Sequence, residues 1–425
     1  MAEIRPFRGI RYNQKKVKVS KVVAPPYDII SPKEQSDLYK RDQFNVVRLI
    51  LGKQKKGDNA KSNKYTRARD FFNEWQKKDV FAQDDLPVLY VYRQDFKVLG
   101  KNYSRFGFVS LLKLEQFFKG SVYPHERTLS KPKVDRLNLM KQTNTNFSSI
   151  FGLYDGKGTK ISEVLKRVMK QKPVIDFTDW HKERNRVWII NDQRLIKIIT
   201  ENMKRKKVYI ADGHHRYETA YNFSKETGGK IKNDIINYVM TFFCDMNDKG
   251  LAVFPTHRLV NLSGFKLENF IKSLDRFFCV SKISKKDMSK KLDTEFKKKN
   301  IAFTLFTNNK YYLLVLKNKR ILEKMMTGSK AYKELDVAVL ESIIFKEVLK
   351  FSQKDIAEQK YIKYVKSLKE SLELVKYKKY TMAFIMNPTR VGQIRRVALN
   401  NELMPQKSTY FYPKLLTGLV MNKFK

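Results

Sequence analysis

Residues 208–220 read Val-Tyr-Ile-Ala-Asp-Gly-His-His-Arg-Tyr-Glu-Thr-Ala, and they constrain the fold more than any other stretch. The apolar run Val208–Ala211 has the length and composition of a buried strand. Asp212-Gly213 then turns the backbone, because glycine reaches positive φ without a Cβ clash. A helix follows over His214–Lys225. A chain passing from strand through glycine into a helix aims unpaired N–H groups and the helix dipole at one spot, which favours an anion. His214, His215 and Arg216 add charge-assisted donors there, so phosphate is the expected guest. Asp212 is equally suited to capping that helix. Adjacent histidines point apart on a helix, and no i,i+4 histidine pair or paired cysteines occur, so no metal site is expected.

The same alternation of patterns runs through the chain and predicts a mixed α and β fold, α+β in class. Ser31 and Glu34 form a capping box for a helix over Lys33–Lys40. Helical periodicity returns at Tyr65–Lys78 and, after a Pro- and Thr-rich loop, at Lys133–Thr143. Val88–Phe96 and Tyr103–Leu114 read as a hairpin about Gly100. Val187–Asn191, Val239–Cys244 and Ala252–Phe254 read as strands, and Leu195–Lys204 as a helix. From about Ser263 the texture changes to a hairpin (Ile301–Phe306 with Tyr311–Leu316), helices at Asp336–Leu349 and Tyr361–Lys369, and a strand–helix unit (Tyr380–Met386, Val391–Asn400). This places a phosphate-binding region at 1–262 and an α/β C-terminal domain at 263–425.

Charge is the second constraint. Lys and Arg number 87 against 43 Asp and Glu, a net +44. The cations are spread along the chain in short clusters such as Lys204–Lys207 and Lys297–Lys299, with no arginine-rich arm. Solvated surface accounts for that pattern more simply than nucleic-acid binding, which is not favoured. The field still draws in small anionic ligands. Met1–Ile10 has no apolar signal core, and no apolar run approaches the roughly 20 residues that span a bilayer. A cytoplasmic protein without membrane partners is expected. Cys244 and Cys279 lie in apolar settings and are expected to be buried, reduced thiols. No pattern in the sequence reports an oligomeric state.

Four further strings carry chemistry. Tyr123-Pro124-His125-Glu126-Arg127-Thr128, followed by Lys133, Asp135 and Arg136, gathers acids, bases and phosphate-binding cations. His125 and Glu126 suit a proton-transfer pair, and a solvated loop reads the same way. In Val23-Ala24-Pro25-Pro26-Tyr27-Asp28 the prolines stiffen the backbone; Asp28 is then a held general base or part of a plain turn. Thr256-His257-Arg258 offers Arg258 as a further phosphate clamp, or is a surface loop. Lys407-Ser408-Thr409 lacks the glycines of a P-loop. Its lysine and hydroxyls suit a phosphate or carboxylate, and a packed tyrosine-rich strand is the alternative.

Taken together, Ile4–Phe7, Ala24–Ser31, Tyr123–Lys133 with Asp135-Arg136, Asn146–Tyr154, Asp212–Ala220, Thr256–Arg258, Asp336–Leu340 and Met404–Val420 resemble the domain-of-unknown-function family ten-fifteen over essentially the whole chain. That family name implies no activity, although its relatives are often encoded beside serine-biosynthesis enzymes. Gly213–Arg216 also resembles the phosphate-binding box of the ParB/sulfiredoxin superfamily, which implies a ParB/sulfiredoxin-like nucleotide-binding core. Sulfiredoxin chemistry requires a cysteine beside that box, where this chain has His214. The partition-protein branch implies a nucleotide-responsive DNA binder, but no helix-turn-helix reader is identifiable. The free serine kinase branch implies ADP or ATP with Mg²⁺, and a carboxylate base for which Asp28, Glu126 and Asp212 are candidates. It also implies a clamp drawn from His214, His215, Arg216 and Arg258, with Arg127, Arg136, His257, Lys407, Ser408 and Thr409 as further contacts. The expectation is a phosphotransferase on serine or phosphoserine, in either direction; the alternative is the DNA binder.

Overall fold

The computed structural model describes residues 2–98, 100–126, 130–227 and 234–424, with residues 130–132 described by backbone alone. It has the mixed α/β character its patterning implies, with several sheets. Two compact units form. One comprises Met1–Pro124, Thr128–Ala252 and Pro413–Lys425; the other comprises His125–Arg127 and Val253–Tyr412.

The first unit is built on a nine-stranded sheet. Its long hairpin, Leu89–Val98 with Lys101–Lys113, is antiparallel and centred on the predicted turn. Strand Val208–Asp212 lies between Val122–Tyr123, parallel to it, and Ile150–Tyr154, antiparallel to it. Neighbours on both sides explain why residues 208–211 are all apolar and buried. The register shifts between Ile210 and Asp212. Such an irregularity re-aims a side chain, here at the end of the strand. Helix His214–Thr227 packs on helix Ser130–Thr143. Tyr217 is buried, and its hydroxyl donates to the Glu115 carbonyl at 2.9 Å, which fixes the first turn of the helix.

The last residues of the chain return to this unit. Thr417 exchanges backbone hydrogen bonds with Ala24 at 2.8 and 3.2 Å, and Met421 pairs with Ile10. Asn422–Lys423 forms a strand with Thr145–Asn146.

The second unit contains a six-stranded sheet in the order Phe278–Ile283, Lys310–Leu316, Ala302–Thr307, Met382–Ile385, His257–Val260, Ile362–Val365. Every pairing is antiparallel. Three sequence expectations are corrected here. Tyr361–Lys369 is not a helix: Ile362–Val365 pairs with His257–Val260, and the helix begins only at Leu368. Ile362 and Val365 are buried at the ends of that short strand, a spacing that also satisfies a helical reading. Thr256–Arg258 is not a surface loop, since His257 and Arg258 lie in an interior strand. Cys279 is exposed on the outermost strand, one residue past buried Phe278, because successive side chains point to opposite faces; Cys244 is buried as expected. The helix at Asp336 also departs from a uniform α-helix, continuing as a π-helix over Leu340–Val348. Among the described residues no helix is long and apolar enough to cross a membrane.

Candidate functional site

In the first unit, Gly213 has φ +94°, the left-handed region that favours glycine. A Cβ there would lie 2.9 Å from Arg216 Nη2, so the glycine also makes room for the arginine. Arg216 Nη1 donates to Ser148 Oγ at 3.1 Å and to the Ser149 carbonyl at 2.5 Å. Its Nη2 reaches Asp212 Oδ2 at 3.3 Å. The other Asp212 oxygen, Oδ1, is 3.1 Å from Lys414 Nζ. Burial alone pushes the Asp212 carboxyl up, but Lys414 and Arg216 outweigh it and hold the group well below the usual carboxylate range. Asp212 therefore stays ionised and is poorly suited to accept a proton. His214 is buried and His215 half-buried beside it.

A second carboxylate is held the same way. Asp135 accepts from Lys64 Nζ at 2.6 Å, Tyr65 Oη at 2.8 Å and Arg136 Nε at 2.9 Å. Burial opposes its ionisation, but Arg136 and Lys64 prevail and lower its pKa to about 2. The Arg136 guanidinium stacks over the Tyr27 ring, 3.8 Å from its centroid. Cation–π contact of this kind fixes the plane of the guanidinium.

Arg136 and Arg216 line one small recess, partly open to solvent. Tyr27, Asn146, Ser148 and Thr219 supply its polar wall; Leu139, Met140 and Phe147 supply much of the apolar one. Each carboxylate behind it is shared by two cations, so each triad carries one net positive charge. Two such triads match a phosphate dianion in charge. Asp28 follows Tyr27 in the turn Tyr27–Ile29 and is exposed, with no ion pair among the described residues.

The remaining candidates assemble in the second unit. His125 is fully buried, and its Nε2 lies 2.8 Å from Thr409 Oγ1. Glu126 bridges to Met404 and accepts the Lys407 N–H at 3.2 Å. His125 thus meets Thr409, and Glu126 meets Met404 and Lys407. Ser408 Oγ donates to the Pro405 carbonyl at 2.5 Å. Arg258, 3% exposed, donates to the carbonyls of Thr256, Gln406 and Lys407. A buried guanidinium committed to carbonyls braces a loop; it is not the open phosphate clamp expected of it. His257 accepts the Met386 N–H at 3.2 Å through Nδ1, and burial, aided by Arg258, lowers its pKa to about 4. Arg127 lies outside the described residues.

Sequence reading missed Tyr27 and Ser148 as lining of the recess, and Lys414 and Lys64 as partners of its carboxylates. Tyr27, Ser148 and Lys414 stood inside strings already singled out; for Lys64 no local signal existed.

The model of a family described as "Protein of unknown function (DUF1015)" matches residues 4–338. The chain belongs to this family. No curated protein matches it in sequence. Among solved structures it is similar to a conserved hypothetical protein from Pyrococcus furiosus, at 13% identity and TM-score 0.35, covering 69% of this chain and 89% of that one. A free serine kinase in complex with AMP aligns at 12% identity and TM-score 0.36, over 68% and 83% of the two chains. SbnI with a C-terminal truncation, from Staphylococcus aureus, aligns at 9% identity and TM-score 0.37, over 73% and 85%. Within the DUF1015 match lie Asp28, Asp135, Arg136 and the whole Asp212–Arg216 box; Lys414 lies beyond it.

Proposed function

We propose that this protein transfers a phosphoryl group to or from a small hydroxylated metabolite, serine or phosphoserine, on a ParB/sulfiredoxin-like core. The observation that supports this reading is that Arg136 and Arg216 line one recess, each paired with a half-buried carboxylate. Fixed donors aimed at phosphoryl oxygens supply most of the catalysis in this chemistry. Asp28 is the proposed base: it follows Tyr27, which lines the recess, and it has no ion pair among the described residues. It takes the proton of the attacking hydroxyl as the new O–P bond forms and the bond to the donor's leaving oxygen breaks. Asp212, kept ionised by Lys414 and Arg216, does not carry the proton.

ADP or ATP is the proposed donor. Among the described residues no group of three or more His, Cys, Asp or Glu could cage a metal. Mg²⁺ is therefore proposed to enter on the nucleotide phosphates, as it commonly does. The test is to incubate folded protein with serine, Mg²⁺ and ADP or ATP, and separately with phosphoserine, following phosphoserine and phosphate by ³¹P NMR. Phosphoserine formed from serine, or phosphate released from phosphoserine, and lost in Arg216→Ala, is expected. Neither product from folded protein would overturn the reading.

A further inference from the structure

Asp212 presents two carboxylate oxygens in a buried setting, and a buried carboxylate left half-paired is strongly destabilised. Arg216 serves one oxygen, and only through Nη2 at 3.3 Å, longer than the roughly 2.7–2.9 Å of a strong charge-assisted bond. Its Nη1 is directed elsewhere, to Ser148 and Ser149. Lys414 serves the other oxygen. The backbone that carries Lys414 is itself bolted down: Arg105, fully buried, donates to the Pro413 carbonyl at 2.7 Å, and Gln94 donates to the Lys414 carbonyl at 3.3 Å. Arg105 and Gln94 are bonded to each other as well. The segment then runs on to Ala24, four residues before Asp28, and ends paired with Thr145–Asn146, which line the recess.

We infer that Lys414 is a positioning residue of the anion site: by occupying Asp212 it keeps Arg216 extended toward the recess and un-neutralised, so that the C-terminal segment completes the site. The inference rests on the phosphate reading above. Without the ammonium, Asp212 draws Arg216 into a two-pronged pair, and the triad falls from one net positive charge to none. An anion in the recess then loses both a charge and an aimed donor. The site's phosphate affinity thus depends on a residue outside the stretch that the family model matches.

The experiment measures ADP and inorganic phosphate binding by calorimetry in the full-length protein and in Lys414→Met, Lys414→Arg, Asp212→Asn and the Asp212→Asn/Lys414→Met double variant. Lys414→Met is expected to weaken binding about tenfold, on the scale of one nearby charge at a protein surface. Lys414→Arg keeps the charge and binds within about threefold of the parent. The double variant recovers most of the loss, because no carboxylate remains to capture Arg216; all variants are compared well below their melting transitions, so a change in stability alone does not register as affinity. Binding by Lys414→Met equal to the parent, or a double variant as weak as Lys414→Met, overturns the inference. If Lys414→Met does not fold, Lys414→Gln replaces it, retaining a donor without the charge. Should the parent bind neither ADP nor phosphate, the phosphate reading fails by itself. Carbon-13 titration of the Asp212 carboxyl still decides the role of Lys414: it must titrate at higher pH in the lysine variant than in the parent, and an unchanged titration overturns it.

Discussion

Gly213→Ala isolates the turn on which the site depends. Two costs are readable from the structure. At φ +94° an alanine backbone pays about 1–2 kcal/mol relative to glycine. The new Cβ would also stand 2.9 Å from Arg216 Nη2 and 3.1 Å from its Cζ and Nε, inside normal contact distance. The end of a long side chain yields more readily than backbone, so the guanidinium shifts and its bonds to Ser149 and Asp212 loosen. The backbone term lowers the melting temperature of the first unit by about 3–6 °C, by the scaling for domains of this size. The displaced guanidinium forfeits much of a charged hydrogen bond, about 1.5–3 kcal/mol, and ADP affinity falls about tenfold to a hundredfold. Gly158→Ala is the control: φ is +72° and nothing lies within 4 Å of the added Cβ. It suffers the backbone cost alone. Scanning calorimetry and ADP titration of both variants separate the two effects. An unchanged ADP affinity in Gly213→Ala, or an equal loss in Gly158→Ala, refutes the reasoning.

Three other outcomes are expected. Asp28→Asn lowers the turnover of serine phosphorylation about 10²–10⁴-fold, the usual worth of a general base, while ADP affinity stays near the parent's; retained turnover moves the base elsewhere. Asp135 is more acidic folded, at about 2, than its ordinary 3.8, so it stabilises the native state above pH 3.8 and loses that contribution as pH falls toward 2. The difference in urea stability between the parent and Asp135→Asn should be about 2 kcal/mol larger at pH 6 than at pH 2, and a pH-independent difference contradicts this. Arg258→Met should lower the melting temperature of the second unit and leave ADP affinity of the folded protein unchanged, since its guanidinium braces carbonyls; a selective loss of ADP binding would restore it as a ligand clamp.

Local features were legible in the sequence. The strand at 208–212, the glycine turn and the helix that follows depend on neighbours a few residues away, and the structure has them within one or two residues of the expected bounds. The hairpin about Gly100 was legible for the same reason. Pairing between distant segments was not. Nothing near Thr256–Arg258 announces that strands from residues 362–365 and 382–385 will flank it and bury the arginine. The five strings that looked like parts of one constellation divide instead: Asp28, Arg136 and Asp212–Arg216 in the first unit; His125, Glu126, Arg258 and Lys407–Thr409 in the second. Which strings meet is set by sheet order, and sheet order has no local signature.

The surplus of cations takes on a more specific meaning at this recess. With about twice as many cations as carboxylates in the chain, a half-buried acid can be shared between two bases, as Asp212, Asp135 and Asp95 are. Each sharing satisfies the carboxylate and leaves one positive charge over. Around Asp95, Arg93 and Arg186 hold that extra charge along a strand pair, where solvent and salt screen it. Around Asp135 and Asp212 the extra charges fall on Arg136 and Arg216, which line the same partly open recess. Two like charges brought to one recess reinforce each other's field, and on the proposed reading this is what draws an anion there. Net charge alone therefore says little about function in this chain; what matters is where two over-paired carboxylates share one cavity.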